Sequence, residues 1–135
     1  MPNAPVRHLN PDTLPTPAGY SHVVDAPIGG RLVHVSGQVA LDRDGRLVGE
    51  GDFRAQAVQA FENLKNALAA AGADFGHVVK INMFVLDMAN LLVLREVRDS
   101  YVNTAAPPAS TLVEVSRFFR DGILFEVDAV AVIPT

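Results

Sequence analysis

Single polar residues interrupt runs of this chain that otherwise read as apolar strand, and any chemistry has to come from them. The stretch Ile123-Leu124-Phe125-Glu126-Val127-Asp128-Ala129-Val130 sets two carboxylates two residues apart among side chains suited to a core. A carboxylate is costly to bury without a partner or a task, so Glu126 is the first candidate for acid/base work. The competing reading is that Glu126 and Asp128 line a solvated sheet face. Interruptions of the same kind occur at Ser36-Gly37-Gln38, Asn82, Ser110-Thr111 and Glu114.

Other chemistries are excluded by what the chain lacks. There is no cysteine, which removes thiol nucleophiles, thiolate metal sites and disulfides and points to a reducing, cytoplasmic setting. The four histidines, His8, His22, His34 and His77, fall at no spacing that would gather metal ligands on a helix face, so no metal site is expected. His34 shares a strand face with Ser36 and reads as a hydrogen-bonded sheet histidine. No phosphate loop, dinucleotide fingerprint or nucleophile elbow is present, and Gly29-Gly30 and Gly49-Glu50-Gly51 are sufficiently explained as turns. A net charge of −4 with no run of Lys or Arg offers little attraction to a phosphate backbone, which makes nucleic acid an unpromising partner. No signal-like or membrane-spanning apolar stretch is seen, and a soluble protein is expected.

The elements that must hold these residues fit one domain spanning 1–135, with a proline-rich arm over 1–27 that carries an edge strand near Ser21 to Val24. Arg31 to Gln38 alternates as a strand that Gly37 interrupts, and Asp44-Gly45 predicts a tight turn joining two short hairpin strands. Val58, Phe61, Leu64 and Leu68 recur at helical spacing from an Asp52 cap to Gly72. Val79, Ile81, Met83 and Val85 form one apolar strand face, and Asp87 caps a second helix with Leu91, Leu94, Val97 or Arg98, and Tyr101 on one stripe. Two further strands follow, Thr111 to Ser116 and Ile123 to Ile133. The order predicts an α+β fold in which two helices cover one face of a mixed sheet. The other face, assigned Val113, Val115, Phe125, Val127 and Ala129, is expected to be apolar and buried against identical subunits.

Taken in order along the chain, several stretches resemble the RidA/YjgF family of small deaminases, also called the endoribonuclease L-PSP family. They are Gly19-Tyr20-Ser21, Val35-Ser36-Gly37-Gln38, Ala60-Phe61-Glu62-Asn63-Leu64, Val78-Val79-Lys80, Asp87-Met88, Glu96-Val97 with Tyr101, Pro108-Ala109, Val113-Glu114-Val115 and Phe125 to Val132. The resemblance implies a chorismate-mutase-like fold and a homotrimer with small-molecule clefts between subunits. It also implies hydrolysis of enamines and imines such as 2-aminoacrylate without metal or organic cofactor. By position, Glu126 matches the family's water-orienting glutamate, Tyr20 a tyrosine beside the cleft, and Ser36 and Gly37 a ligand-contacting strand end. The family's names also include RNA cleavage and translation inhibition, which the acidic composition disfavours.

One position departs from that family. Where the family has an arginine that clamps the substrate carboxylate through two parallel bonds, this chain reads Pro108-Ala109-Ser110-Thr111, with Ser110 in the arginine's place. A serine donates one neutral hydrogen bond and carries no charge, so weak 2-aminoacrylate activity is expected, and a non-catalytic binding or regulatory trimer is the alternative. Arg31, Arg95, Arg117 and Arg120 are the cations that could compensate, with Arg117 and Arg120 reading as surface residues beside a turn.

Overall fold

The computed structural model describes residues 5–135; the first four residues of the proline-rich arm lie outside them. A short pair, β1 (Arg7–Leu9) and β2 (Val23–Asp25), runs antiparallel, with Arg7 paired to Asp25. The main sheet has four strands in the order β3-β6-β4-β5, where β3 is Arg31–Gln38, β4 Val78–Val85, β5 Ala109–Glu114 and β6 Phe125–Ile133. β6 is antiparallel to both neighbours and β4 is parallel to β5, so the sheet is mixed as expected. Two helices, α1 (Phe53–Ala70) and α2 (Leu91–Asp99), complete the α+β architecture. Neither is long and apolar enough to cross a membrane.

Local signals explain most boundaries. Asp52 caps α1 by accepting from the Ala55 amide, and the chain leaves the helix through Gly72 at φ 79°. Asp87 caps a single 3-10 turn, Met88–Asn90, that leads into α2. The α1 face differs from the expected one: Phe53, Gln56, Ala57, Ala60, Phe61, Leu64 and Leu68 are buried, whereas Val58 is exposed. The stripe is centred on small alanines that let the helix lie close to the sheet, which apolar periodicity alone weights too lightly. On β4 a register irregularity between Val78 and Lys80 buries Val78 in place of Val79. The expected hairpin around Asp44-Gly45 is reduced to a single antiparallel bridge between Leu41 and Leu47, flanked by backbone bonds from the Asp42 amide to Arg46 and from the Val48 amide to Ala40. At the tip the Asp42 carboxylate accepts from the amides of Asp44 and Arg46.

The alternation of β6 is also corrected. Phe125, Val127, Ala129 and Ala131 are buried with Ile81, Met83 and Val85 in the core that includes α1, Leu94 and Val97. The opposite face carries Glu126, Asp128, Val130 and Val132, beside Leu32 and His34 of β3 and Lys80, Asn82 and Phe84 of β4. Phe125, Val127 and Ala129 therefore belong to the helix side. The uncovered face is polar at one end and apolar at the other, where Leu32 is 57% exposed and Ile28, just before β3, is 86% exposed.

Gln56 joins α1 to the loops at its start. Fully buried, it donates to the carbonyls of Gly49 and Gly122 and accepts from the Leu124 amide. Gln56→Leu keeps the apolar volume but strands three backbone groups. It should lower the unfolding free energy by about 3 kcal/mol or more in urea titration. A loss under about 1 kcal/mol would show that these groups find other partners.

Candidate functional site

The predicted site residues fall into two groups on opposite faces of the sheet. Glu126 pairs with Phe84 on the uncovered face, while Ser110 pairs with Ile81, whose side chain lies under the helices. Thr111, opposite Asn82, lies on the same face as Glu126. Within one chain Ser110 and Glu126 do not meet.

The first group is built on β6 and the irregular end of β3. Antiparallel pairing slips between Val35 and Gln38, which places Ser36 and Gly37 beside Glu126. A Cβ on Gly37 would lie 2.6 Å from Glu126 Oε2, so the absence of a side chain there lets the carboxylate rest against the strand. Ser36 is exposed, and its carbonyl accepts from the Gln38 side chain. Asp128 accepts from Asn82 Nδ2 at 2.8 Å, and Thr111 Oγ1 accepts from Lys80 Nζ at 2.8 Å. Glu126 has no hydrogen-bond partner among the described residues. Its pKa is raised above the ordinary glutamate value, first by burial and then by the negative charge of Asp128. This is a carboxylate that holds its proton more readily than a free glutamate and is not committed to any structural bond.

The second group surrounds a cavity of about 140 Å³ between α2 and the β5 edge, lined by Tyr20, Ser110, Leu94, Arg95 and Arg98 among others. The arm closes it: Ser21 is buried, bridges to Ala109, and donates through its hydroxyl to the Pro107 carbonyl. The preceding Tyr20 is thereby held at the mouth, its ring edge-on to His22 at 5.2 Å. The position of α2 is fixed by Tyr101, which stacks on Phe61 at 5.2 Å and donates to Glu62 Oε2 at 2.6 Å. Burial, reinforced by that carboxylate, pushes the Tyr101 phenol up to about 12, so it stays a donor.

Of the arginines proposed from sequence, only Arg95 lines this cavity. Arg31 donates to the Ala71 carbonyl and Arg120 to that of Gly45, and Arg117 is exposed. The arginine that sequence reasoning missed is Arg98, 7% exposed and lining the same cavity. Its place on the apolar stripe of α2 was the available signal, since a charged residue there is costly unless used. Among the described residues no cluster of three or more histidine, cysteine, aspartate or glutamate side chains could hold a metal ion.

Comparison with known proteins places the sequence and the fold. The family model described as Endoribonuclease L-PSP matches residues 11–133. The chain is 40% identical over 125 residues to protein DfrA of Myxococcus xanthus, covering 92% of this chain and 93% of that one. It is 34% identical over 118 residues to 2-iminobutanoate/2-iminopropanoate deaminase of Salmonella typhimurium, covering 86% and 91%. A crystal structure of the Rid-family protein YyfB from Yersinia pestis superposes with a TM-score of 0.82 at 32% identity, over 95% of this chain and 98% of that one. With nearly the whole length matched in sequence and in fold, the chain belongs to the RidA/YjgF, or endoribonuclease L-PSP, family.

Proposed function

We propose that this protein is a cofactor-independent hydrolase of a small imine, enamine or related metabolite, working in clefts between the subunits of a homotrimer. The observation that carries the reading is Glu126: a part-buried carboxylate of raised pKa, free of structural hydrogen bonds and backed by the bare backbone of Gly37. The reaction asks for little machinery. Water adds to the carbon of a C=N bond, a proton passes to nitrogen, the C–N bond breaks, and ammonia and a carbonyl compound leave. One positioned acid/base supplies the proton traffic. Glu126 takes a proton from the attacking water and returns one to the leaving nitrogen, a role favoured when its pKa lies closer to neutrality than a free glutamate's. The relative named as a 2-iminobutanoate/2-iminopropanoate deaminase supports the reaction class.

The separation of the two groups supports assembly with further copies of the chain. With Ser110 and Glu126 on opposite faces of one sheet, a second copy is what would bring Tyr20 and Ser110 of one chain to Glu126 and Gly37 of another. Exposed Ile28 and Leu32 give that second copy an apolar surface to cover. The second reading, a binding or regulatory trimer without turnover, is favoured by Ser110 in place of the family's clamping arginine. RNA cleavage has least support, because the chain is acidic and has no basic stripe.

Sedimentation or light scattering at micromolar concentration should give three times the 14.4 kDa chain mass. A stable monomer would remove the shared cleft. With turnover established on an imine substrate, Glu126→Gln should cost about 100-fold or more in kcat while the trimer stays folded, because the amide cannot take up a proton. Unchanged turnover would make Glu126 a strand residue only. The acid limb of kcat/KM should lie above the ordinary glutamate pKa, since the carboxylate must be ionised to act as base and its pKa is raised by burial and by Asp128. Asp128→Asn, by removing the neighbouring charge, should move that limb toward lower pH. A limb that stays in place would assign the titration to another group.

A further inference from the structure

Arg98 is the least explained charge in the fold. Its side chain is 92% buried, yet its single hydrogen bond among the described residues runs from Nε to Asp99 Oδ1 at 2.9 Å. Both terminal nitrogens lack an acceptor among the described residues, and neither is sealed off, since no buried side-chain nitrogen there is left unsatisfied. The chain makes room for this group: a Cβ on Gly19 would fall 2.1 Å from Arg98 Nη2, and Gly19 itself sits at φ 81°. Arg95, three residues earlier on α2, lines the same cavity and also has no acceptor. Glu96, the nearby carboxylate on α2, is engaged by Arg54 at 2.5 Å and faces solvent. Two guanidiniums one helical turn apart repel each other, and Asp99 is the one carboxylate paired with them among the described residues, so the pair carries one more positive than negative charge.

The hydroxyls of Tyr20 and Ser110 also have no partner among the described residues, and they line the same space. The opening therefore presents hydrogen-bond donors from three directions against the apolar walls of Met83, Leu91, Leu94 and Leu112. Its volume of about 140 Å³ has room for a small acid. Asp99 occupies the Nε side of Arg98 and leaves the edge formed by the terminal nitrogens for a planar, two-oxygen anion.

We infer that the cavity between α2 and β5 is a carboxylate subsite in which Arg98, assisted by Arg95, holds the acid group of the ligand while Ser110 and Tyr20 donate from the other side. The inference rests on the proposed hydrolase reading only for the fate of the ligand, because a carboxylate would bind here with or without turnover. It replaces the expectation, drawn from Ser110, that this chain lacks a clamp for 2-imino acids: the cation comes from the helix instead of the strand, and Ser110 leaves it space.

Pyruvate, the stable product that hydrolysis of 2-aminoacrylate would give, serves as the probe, with methyl pyruvate as its uncharged counterpart, both titrated into the intact protein by calorimetry or NMR. Pyruvate should bind, and methyl pyruvate should bind at least ~30-fold more weakly; Arg98→Gln should lose ~30-fold or more in pyruvate affinity, the scale of removing one partner from a desolvated ion pair. Arg98→Lys, which keeps the charge but not the fork, should retain part of the affinity, and Arg95→Gln should lose less than Arg98→Gln. Equal binding of pyruvate and its ester, or undiminished pyruvate binding by a folded Arg98→Gln protein, overturns the subsite. If Arg98→Gln does not fold, the ester comparison on the wild-type chain and the Arg98→Lys protein decide. Failure of the hydrolase reading looks different: pyruvate binds through Arg98 and still binds to Glu126→Gln protein, but no imine is turned over.

Discussion

The alternation of β6 is the constraint from which the rest of this structure follows. As a strand hydrogen-bonded on both sides, it cannot turn a single residue without slipping against both β3 and β4. Phe125, Val127, Ala129 and Ala131 must go to one side together, where α1 and α2 bury them, and Glu126 and Asp128 must go to the other. Exchanging the two sides would put two carboxylates beneath Phe61 and Leu64, a far greater cost than any gain from burying Val130 more deeply. The core thus selects the face on which the carboxylates appear, and the slip at the end of β3 brings Gly37 against one of them.

The same constraint separates the two halves of the site. Parallel pairing of β5 with β4 carries the alternation across the sheet, so Ser110 follows Ile81 to the helix side while Thr111 follows Asn82 to the side of Glu126. A β4-to-β5 connection through α2 also delivers Arg95 and Arg98 over the β5 edge, and the arm completes the cavity by adding Ser21 beside Ala109. One chain therefore carries an acid/base group and a cationic cavity on opposite faces of a single sheet. In the proposed trimer, each cleft takes its carboxylate from one copy and its cavity from the next.

Elements with a strong period or a chemically distinct cap were legible in the sequence: β3 with its glycine interruption, α1 between Asp52 and Gly72, and the stop of α2 well before Pro107. Polar residues on apolar runs led directly to Glu126. Three features were not legible, each for a physical reason. The helix side of β6 was misassigned because Phe125, Val127 and Ala129 are apolar and both sheet faces carry apolar residues; only the register against β4 separates them. The Asp44-Gly45 hairpin is shorter than expected, a turn with one bridge, because Asp42 takes the Asp44 and Arg46 amides at its tip. Arg98 went unrecognised because its helical phase shows only that it points inward, whereas the pairing of its Nε alone with Asp99 and the space left by Gly19 are facts of packing.

The central claim is that a carboxylate ligand lies between the Arg98 cavity of one chain and Glu126 of another. A crystal structure of the protein with bound pyruvate tests it most directly. The account predicts the carboxylate of pyruvate on the terminal nitrogens of Arg98, with its carbonyl carbon facing the Glu126 carboxylate of an adjacent copy across a shared cleft. Pyruvate bound away from Arg98, or a cavity that meets no Glu126 from any neighbouring copy, would contradict it.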